Sequence, residues 1–282
     1  MLVRRLSYVA PGPRVAAVLL LESSRMTVST QSLREVAATR YVTPLREGGS
    51  LPGLVEADDD GLYVTKFRGA GQGVRALVAE VIIGELARGA ELLVPDLVTV
   101  AIDARLGAAE PDPEIQELIT ASEGVNLGVD FLPGALAYTP AGAWHPSPDL
   151  AADIVWLDAL ATNVDRTARN PNLLLWHERL WVIDHGAALY LQHGGLDPEA
   201  HAERPFPLIA EHVLLSRAGS ITEADARMRA RLGEGAVAAA VDLVPAEWLA
   251  EADAAEVYVE YLSRRLAGGG FVEEAERARA GR

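Results

Sequence analysis

Between Asn163 and Gly186, two polar loops flank an apolar hairpin, and this stretch narrows the choice of folds more than any other. The run Asn163-Val-Asp-Arg-Thr-Ala-Arg-Asn-Pro-Asn172 is dense in turn formers and sets Asp165 and Asn170 five positions apart. Two short apolar runs follow, Leu173–Trp176 and Leu180–Ile183, separated by His177-Glu-Arg179. They predict two strands joined by a hairpin, with Asp184-His-Gly186 at its end. A hairpin doubles the chain back, so Asp184 returns beside Asp165 and Asn170. Three oxygen-bearing side chains converging there suit a site in which one carboxylate orients a hydroxyl. The carboxamide and the other carboxylate would hold a hard divalent cation against phosphate oxygens.

A cation to face those oxygens is marked by composition. The 25 basic residues include a single lysine, Lys66, which leaves 24 arginines. In a chain that otherwise uses arginine throughout, one lysine points to a place where a compact ammonium fits and a planar guanidinium does not. The segments around it read as β: Thr39–Pro44, a Gly-rich turn over Arg46–Gly53, Leu54–Ala57, a tight turn at Asp58–Gly61, then Leu62–Phe67. Gly48, Gly49 and Ser50 lie in the first turn, where absent or small side chains let backbone N–H groups approach phosphates. Past Gly69–Gly73 a helix is expected over 74–88, from the spacing of Leu77, Val81, Ile82 and Leu86. Glu80 sits among those apolar residues and is the candidate partner for Lys66, with Glu85 as the fallback.

Further along, Leu97–Asp103 reads as a strand, Pro111–Ile119 as a short helix, and Gly124–Leu132 as a strand ended by Pro133-Gly134. Asp130, Phe131 and Leu132 suit a strand leaving the core at a cleft, where backbone groups would receive a base. Ser147-Pro148 supplies an N-cap and a first-turn proline to a helix over 149–162, which delivers the chain to Asn163. Later helices are expected at 207–217, 222–232, 236–244, 246–266 and 272–280, with Ser220 and Glu223 as a capping box before the second. Arg166 or Arg169 is expected to stabilise transferring charge, His185 to pack against the loop and Asn163 to brace it. Asn172 is the alternative to Asn170 as a metal ligand.

Composition removes other classes. A formal net charge of -15 disfavours a sequence-independent grip on nucleic acid or an anionic membrane surface. The absence of cysteine excludes disulfides and thiolate zinc sites. Six scattered histidines lack a metal-ligand spacing. Arg4-Arg5 followed by the apolar run Val15–Leu21 superficially suggests a signal peptide, but the run is short and Glu22 follows directly. Residues 1–30 are therefore expected to be a leader without assigned function, with Met26 as an alternative start.

The run N-V-D-R-T-A-R-N-P-N-L-L together with W-V-I-D-H-G resembles the HipA-like serine/threonine kinases, especially their short bacterial relatives. More distantly it is similar to phosphoinositide lipid kinases. The resemblance spans about residues 39–215 and is most specific at 163–186. It implies that Asp165 is the catalytic aspartate, Asn170 and Asp184 are the metal ligands, and Lys66 is the ATP lysine. HipA itself is a longer toxin with an added N-terminal subdomain and a DNA-binding antitoxin partner. Neither the toxin role nor the antitoxin is expected here. Arg166-Thr167 also stands where such loops often carry a histidine after the aspartate.

The expectation is an α+β, two-lobed protein-kinase-like fold in a cytoplasmic protein. An N-lobe at 31–132 would carry an antiparallel sheet plus a helix, and a helical C-lobe would follow at 133–282. ATP and Mg²⁺ are the expected cofactors, and a protein Ser/Thr hydroxyl, its own included, the expected acceptor. The rival readings are a non-catalytic ATP-binding regulator, a small-molecule or lipid-headgroup kinase, and transfer of the nucleotide moiety.

Overall fold

A computed structural model describes residues 32–45, 51–71 and 73–282. The leader and the turn residues Gly48, Gly49 and Ser50 lie outside the described residues.

The first half of the chain forms β1 (Arg34–Pro44), β2 (Gly53–Ala57), β3 (Leu62–Lys66), helix α1 (Gly73–Gly89), β4 (Leu97–Ile102), helix α2 (Pro113–Ala121) and β5 (Gly124–Asp130). The five strands close into a barrel in the order β1-β2-β3-β5-β4. Neighbours run antiparallel except at the closing seam, where β1 pairs in parallel with β4 from Arg34↔Val98 to Ala37↔Ala101. The register of β1 slips between Ala38 and Arg40 and again between Tyr41 and Thr43. Such irregularities bend a long strand, so that one end serves the seam and the other serves β2. Inside the barrel, Val36, Val55, Tyr63, Phe67, Val98 and Val100 pack with Ile115 and Ile119 of α2. Gly128 in β5 is required by close approach, since a Cβ there would stand 2.6 Å from Val100 Cγ2.

Helix α1 is wedged between the barrel and the rest of the molecule. Val78, Ala79, Val81, Ile82 and Ile83 are without exposure, so the helix is apolar on nearly every side rather than along one stripe. Glu80 rides in the middle of this buried surface.

After Asp130 the chain crosses into the helical half. This half holds β6 (Leu136–Ala137), α3 (Pro148–Ala161), β7 (Leu173–Trp176) and β8 (Arg179–Val182), with β6-β7-β8 as a small sheet. Ser147 caps α3 by accepting from Leu150 N–H, as its sequence predicts. The β7–β8 turn places His177 and Glu178 at φ 48° and 60°, the left-handed pair that a two-residue hairpin requires. There follow α4 (Pro198–His201), α5 (Ile221–Leu232), α6 (Ala236–Asp242), α7 (Ala246–Glu251), α8 (Ala255–Gly268) and α9 (Gly270–Ala280).

Two expected helices are not continuous. Residues 207–217 form two short 3-10 turns, Pro207–Glu211 and Leu215–Arg217, because His212 and Val213 are drawn onto the loop at 163–172. The helix expected at 246–266 breaks between α7 and α8, where the carbonyl of Ala252 and the carboxylate of Asp253 turn toward Arg75. Among the described residues, no helix is long and apolar enough to cross a membrane.

Candidate active site

The single lysine ends β3, and its ammonium crosses from the barrel to the helical half. Lys66 Nζ lies 2.8 Å from Glu80 Oε2 on α1 and 2.6 Å from Asp184 Oδ1 just after β8. Burial alone would lower the Lys66 pKa, but the two carboxylates outweigh it and hold the group protonated beyond the ordinary lysine range. The Lys66 ammonium lowers the Asp184 pKa even against burial. Burial pushes Glu80 the other way, opposed by Lys66 and by a hydrogen bond from the His185 backbone N–H. Asp184 adopts a left-handed backbone at φ 55°, a costly conformation for a non-glycine residue that persists where packing holds it.

Asp165 faces this cluster from the loop after α3. Its Oδ2 accepts from Asn170 Nδ2 at 2.6 Å and from Asn172 Nδ2 at 3.4 Å. Its pKa is raised, by burial first and also by the charge on Asp184, while the two amides pull it back. With Asn170 Nδ2 committed to Asp165, its Oδ1 is the end available to a cation. Asp184 Oδ1 takes Lys66, which leaves Oδ2.

The loop itself is held from below. Arg166 is almost wholly buried, and its Nε sits 2.5 Å from Asp158 Oδ2. Its Nη1 reaches the carbonyls of Asn172 at 2.5 Å and Ile183 at 3.1 Å, which joins the loop to the end of β8. Asp158, without exposure, also binds Asn163 Nδ2 at 2.9 Å and His212 Nε2 at 2.9 Å. Leu214 N–H donates to His212 Nδ1 at 3.0 Å, so the ring proton rests on Nε2 and is donated to Asp158. Burial opposes the Asp158 charge, yet Arg166 and His212 together hold its pKa well below the carboxylate range. Asn163 Oδ1 accepts from Asp165 N–H at 3.1 Å, which completes the brace expected of Asn163.

These contacts correct one sequence expectation. Arg166 is consumed in a buried network and does not point at transferred charge, whereas Arg169 is exposed. His185 packs against the loop as expected, and burial together with the nearby Arg166 pushes its pKa down to about 3, so it is neutral. Asp158 and His212 escaped the sequence reading. A signal existed for Asp158: an acid in the unbroken apolar run Ile154–Ala161 has to be paired if that helix is buried. His212 has no such signal, because only the tertiary fold brings it to the loop.

Asp130 and Leu132 line a hollow of about 350 Å³ with Trp176, Trp181 and the segment Leu92–Asp96. The N–H groups of Asp130 and Phe131 are taken by the carbonyls of Asp96 at 2.8 Å and Leu62 at 2.9 Å. The crevice at Lys66, lined by Phe67, Ala70, Leu77, Asp184 and Gly186, measures only about 20 Å³. It is room for a water molecule. A larger hollow of about 390 Å³ at Arg204, Arg265 and Phe271 lies away from these groups.

A two-part fold with a lysine–glutamate pair in one part and an aspartate, an asparagine and a second aspartate in the other is the arrangement a kinase-type phosphotransferase requires. The sequence profile of the HipA-like kinase family matches residues 39–268, and the chain belongs to that family. Among solved structures, the Helicobacter pylori proinflammatory kinase CtkA is similar with a TM-score of 0.52 and 13% identity. That match covers 88% of this chain and 98% of that one. The similarity shows a shared fold. Golgi casein kinase aligns with a TM-score of 0.44 at 14% identity over 88% of this chain and 74% of its own. No curated protein sequence matches the chain.

Proposed function

We propose that the chain transfers the γ-phosphoryl group of Mg·ATP to a Ser or Thr hydroxyl of a protein, its own chain included. The observation that carries this reading is the Lys66 ammonium set between Glu80 and Asp184, with Asp165 beside them. In this reading Lys66 grips the α- and β-phosphates and Glu80 aims it. The acceptor hydroxyl donates to Asp165 Oδ1, since Oδ2 is occupied by the two amides. The acceptor oxygen bonds to the γ-phosphorus as the bond to the β-phosphate oxygen breaks. ADP leaves, and the hydroxyl proton passes to Asp165, whose raised pKa suits a proton acceptor.

Mg²⁺ fits the side chains present. Among the described residues, no cluster of three or more His, Asp or Glu forms a cage. Asn170 and Asp184 would supply two oxygens, and Mg²⁺ characteristically takes its remaining ligands from phosphate and water. It would supply charge neutralisation and alignment of the phosphates. Asp130, Phe131 and Leu132 would receive adenine through groups other than the two N–H donors already engaged.

The test compares ATP labelled at the γ- or the α-phosphate, offered to the purified chain with and without protein extract. Label from γ appearing on protein Ser or Thr, dependent on Mg²⁺, is the expected result. Label on a small molecule or lipid would reassign the acceptor, α-label would indicate nucleotide transfer, and binding without transfer would indicate a regulator.

A further inference from the structure

The first turn of α1 is gripped by residues that take no part in the cluster at Lys66. Arg75 donates through Nη1 to the carbonyl of Gln192 and lies 3.2 Å from Asp253 Oδ2, while Nη2 reaches the Ala252 carbonyl at 3.3 Å. Gln192, without exposure, returns the contact: its Nε2 donates to the Arg75 carbonyl at 3.1 Å, and its Oε1 accepts from Tyr258 Oη at 2.9 Å. On the barrel side, Trp248 of α7 is fully buried, and its Nε1 donates to the Val125 carbonyl of β5 at 3.2 Å. Arg68, two residues past Lys66, pairs with Glu247 and Glu251 of the same helix. The break between α7 and α8 belongs to this arrangement. In a continuous helix the Ala252 carbonyl would accept from an amide one turn on, whereas here it is free to meet Arg75.

We propose that Arg75 and Trp248 are positioning residues for phosphoryl transfer. The segment 246–258 acts as an internal clamp that holds α1 in place and so keeps Glu80 against Lys66. This rests on the phosphotransferase reading above. Arg75 and Glu80 are five residues apart on one rigid helix, about 7.5 Å along its axis, so a swing of the first turn would draw the Glu80 carboxylate from the ammonium. Gln192 extends the grip to the segment after Asp184, so the helix, that segment and α8 shift together or not at all.

Arg75→Ala, Arg75→Lys and Trp248→Phe test this in the full chain, with kcat, the KM for ATP and amide hydrogen exchange over residues 73–89 as readouts. Arg75→Ala is expected to lower kcat by about tenfold or more while the KM for ATP stays within about threefold. Exchange in the first turns of α1 accelerates. Arg75→Lys, which keeps a cation for Asp253 and the Ala252 carbonyl, recovers part of kcat, and Trp248→Phe, which keeps the packing and loses one hydrogen bond, falls between wild type and Arg75→Ala. The proposal is overturned if Arg75→Ala leaves kcat unchanged, or if its loss equals the loss of folded protein. It is equally overturned if Arg75→Lys is no better than alanine and exchange is unaltered. Should the wild-type chain transfer no phosphate, the phosphotransferase reading fails by itself. The exchange data then decide the clamp, with unchanged exchange in Arg75→Ala rejecting it.

Discussion

Lys66 stands at the edge of solvent between Glu80 and a half-exposed Asp184, whereas Asp158 lies beneath the 163–172 loop with no exposure and every oxygen engaged. Both clusters neutralise carboxylates with cations, but they are built for different tasks. The upper one spans two parts of the molecule and encloses about 20 Å³ beside the Lys66–Asp184 contact. The lower one joins α3, the loop, the end of β8 and His212 in one dry network. An ion pair with a half-exposed partner, such as Lys66–Asp184, contributes little to stability and rearranges cheaply, while breaking one partner of a buried pair leaves a charge without compensation. The first should therefore govern rate, and the second should govern whether the loop holds its shape.

Predictions that separate the two begin with the largest effect. Asp165→Ala and Asp184→Ala should each lower γ-phosphate transfer by about a thousandfold or more with the melting temperature little changed, as read by labelled-ATP assay and calorimetry. A variant that kept wild-type activity would break the division of labour at its upper half. Asp158→Asn should do the reverse first, costing about 3–5 kcal/mol of stability by chemical denaturation because Arg166 is left buried without its anion. A loss under about 1 kcal/mol would show that the lower network is not the anchor described.

Lys66→Arg should follow, lowering kcat by about a hundredfold with stability preserved, because the guanidinium keeps the charge but not the compact fit. Smallest are the pH effects. Asp165 has to be ionised to accept a proton, and its pKa is raised, so kcat/KM should fall with acid from a midpoint above the ordinary aspartate value of about 3.9. His185 and Asp158 both carry depressed pKa values in the folded chain. Each contributes stability that is present above its unfolded value and lost as pH falls toward the folded one. For His185 this loss begins near pH 6.5 and reaches on the order of 1–2 kcal/mol by pH 5, measured by denaturation at each pH.

The upper cluster was legible in the sequence and the lower one only in part. Asp165, Asn170 and Asp184 announce themselves through loop–hairpin–loop spacing, and Lys66 through its singularity among arginines. These are local signals, because the site is assembled from chain ends at strands and turns. The parallel seam between β1 and β4 left no local mark, since strand pairing at a distance is not written in periodicity. The choice between Arg166 and Arg169 was closed to the sequence for the same reason. Beside a catalytic-looking aspartate an arginine reads as a charge stabiliser, and only the presence of Asp158 underneath turns it inward. The two interrupted helices share a cause: His212 and Ala252 each trade helical hydrogen bonding for a distant partner, which helical periodicity cannot anticipate.

The most direct test follows the γ-phosphate itself. Wild-type protein and the Asp165→Ala variant, both confirmed as folded, are incubated with γ-labelled ATP and Mg²⁺ in the presence of a protein extract, and phosphorylated serine and threonine are quantified alongside the intact mass of the chain. Label on protein, with or without mass gain in units of one phosphate, is predicted for the wild type and is predicted to vanish in the variant. Equal labelling by both, or none by the wild type, would contradict the roles assigned to Asp165 and its neighbours.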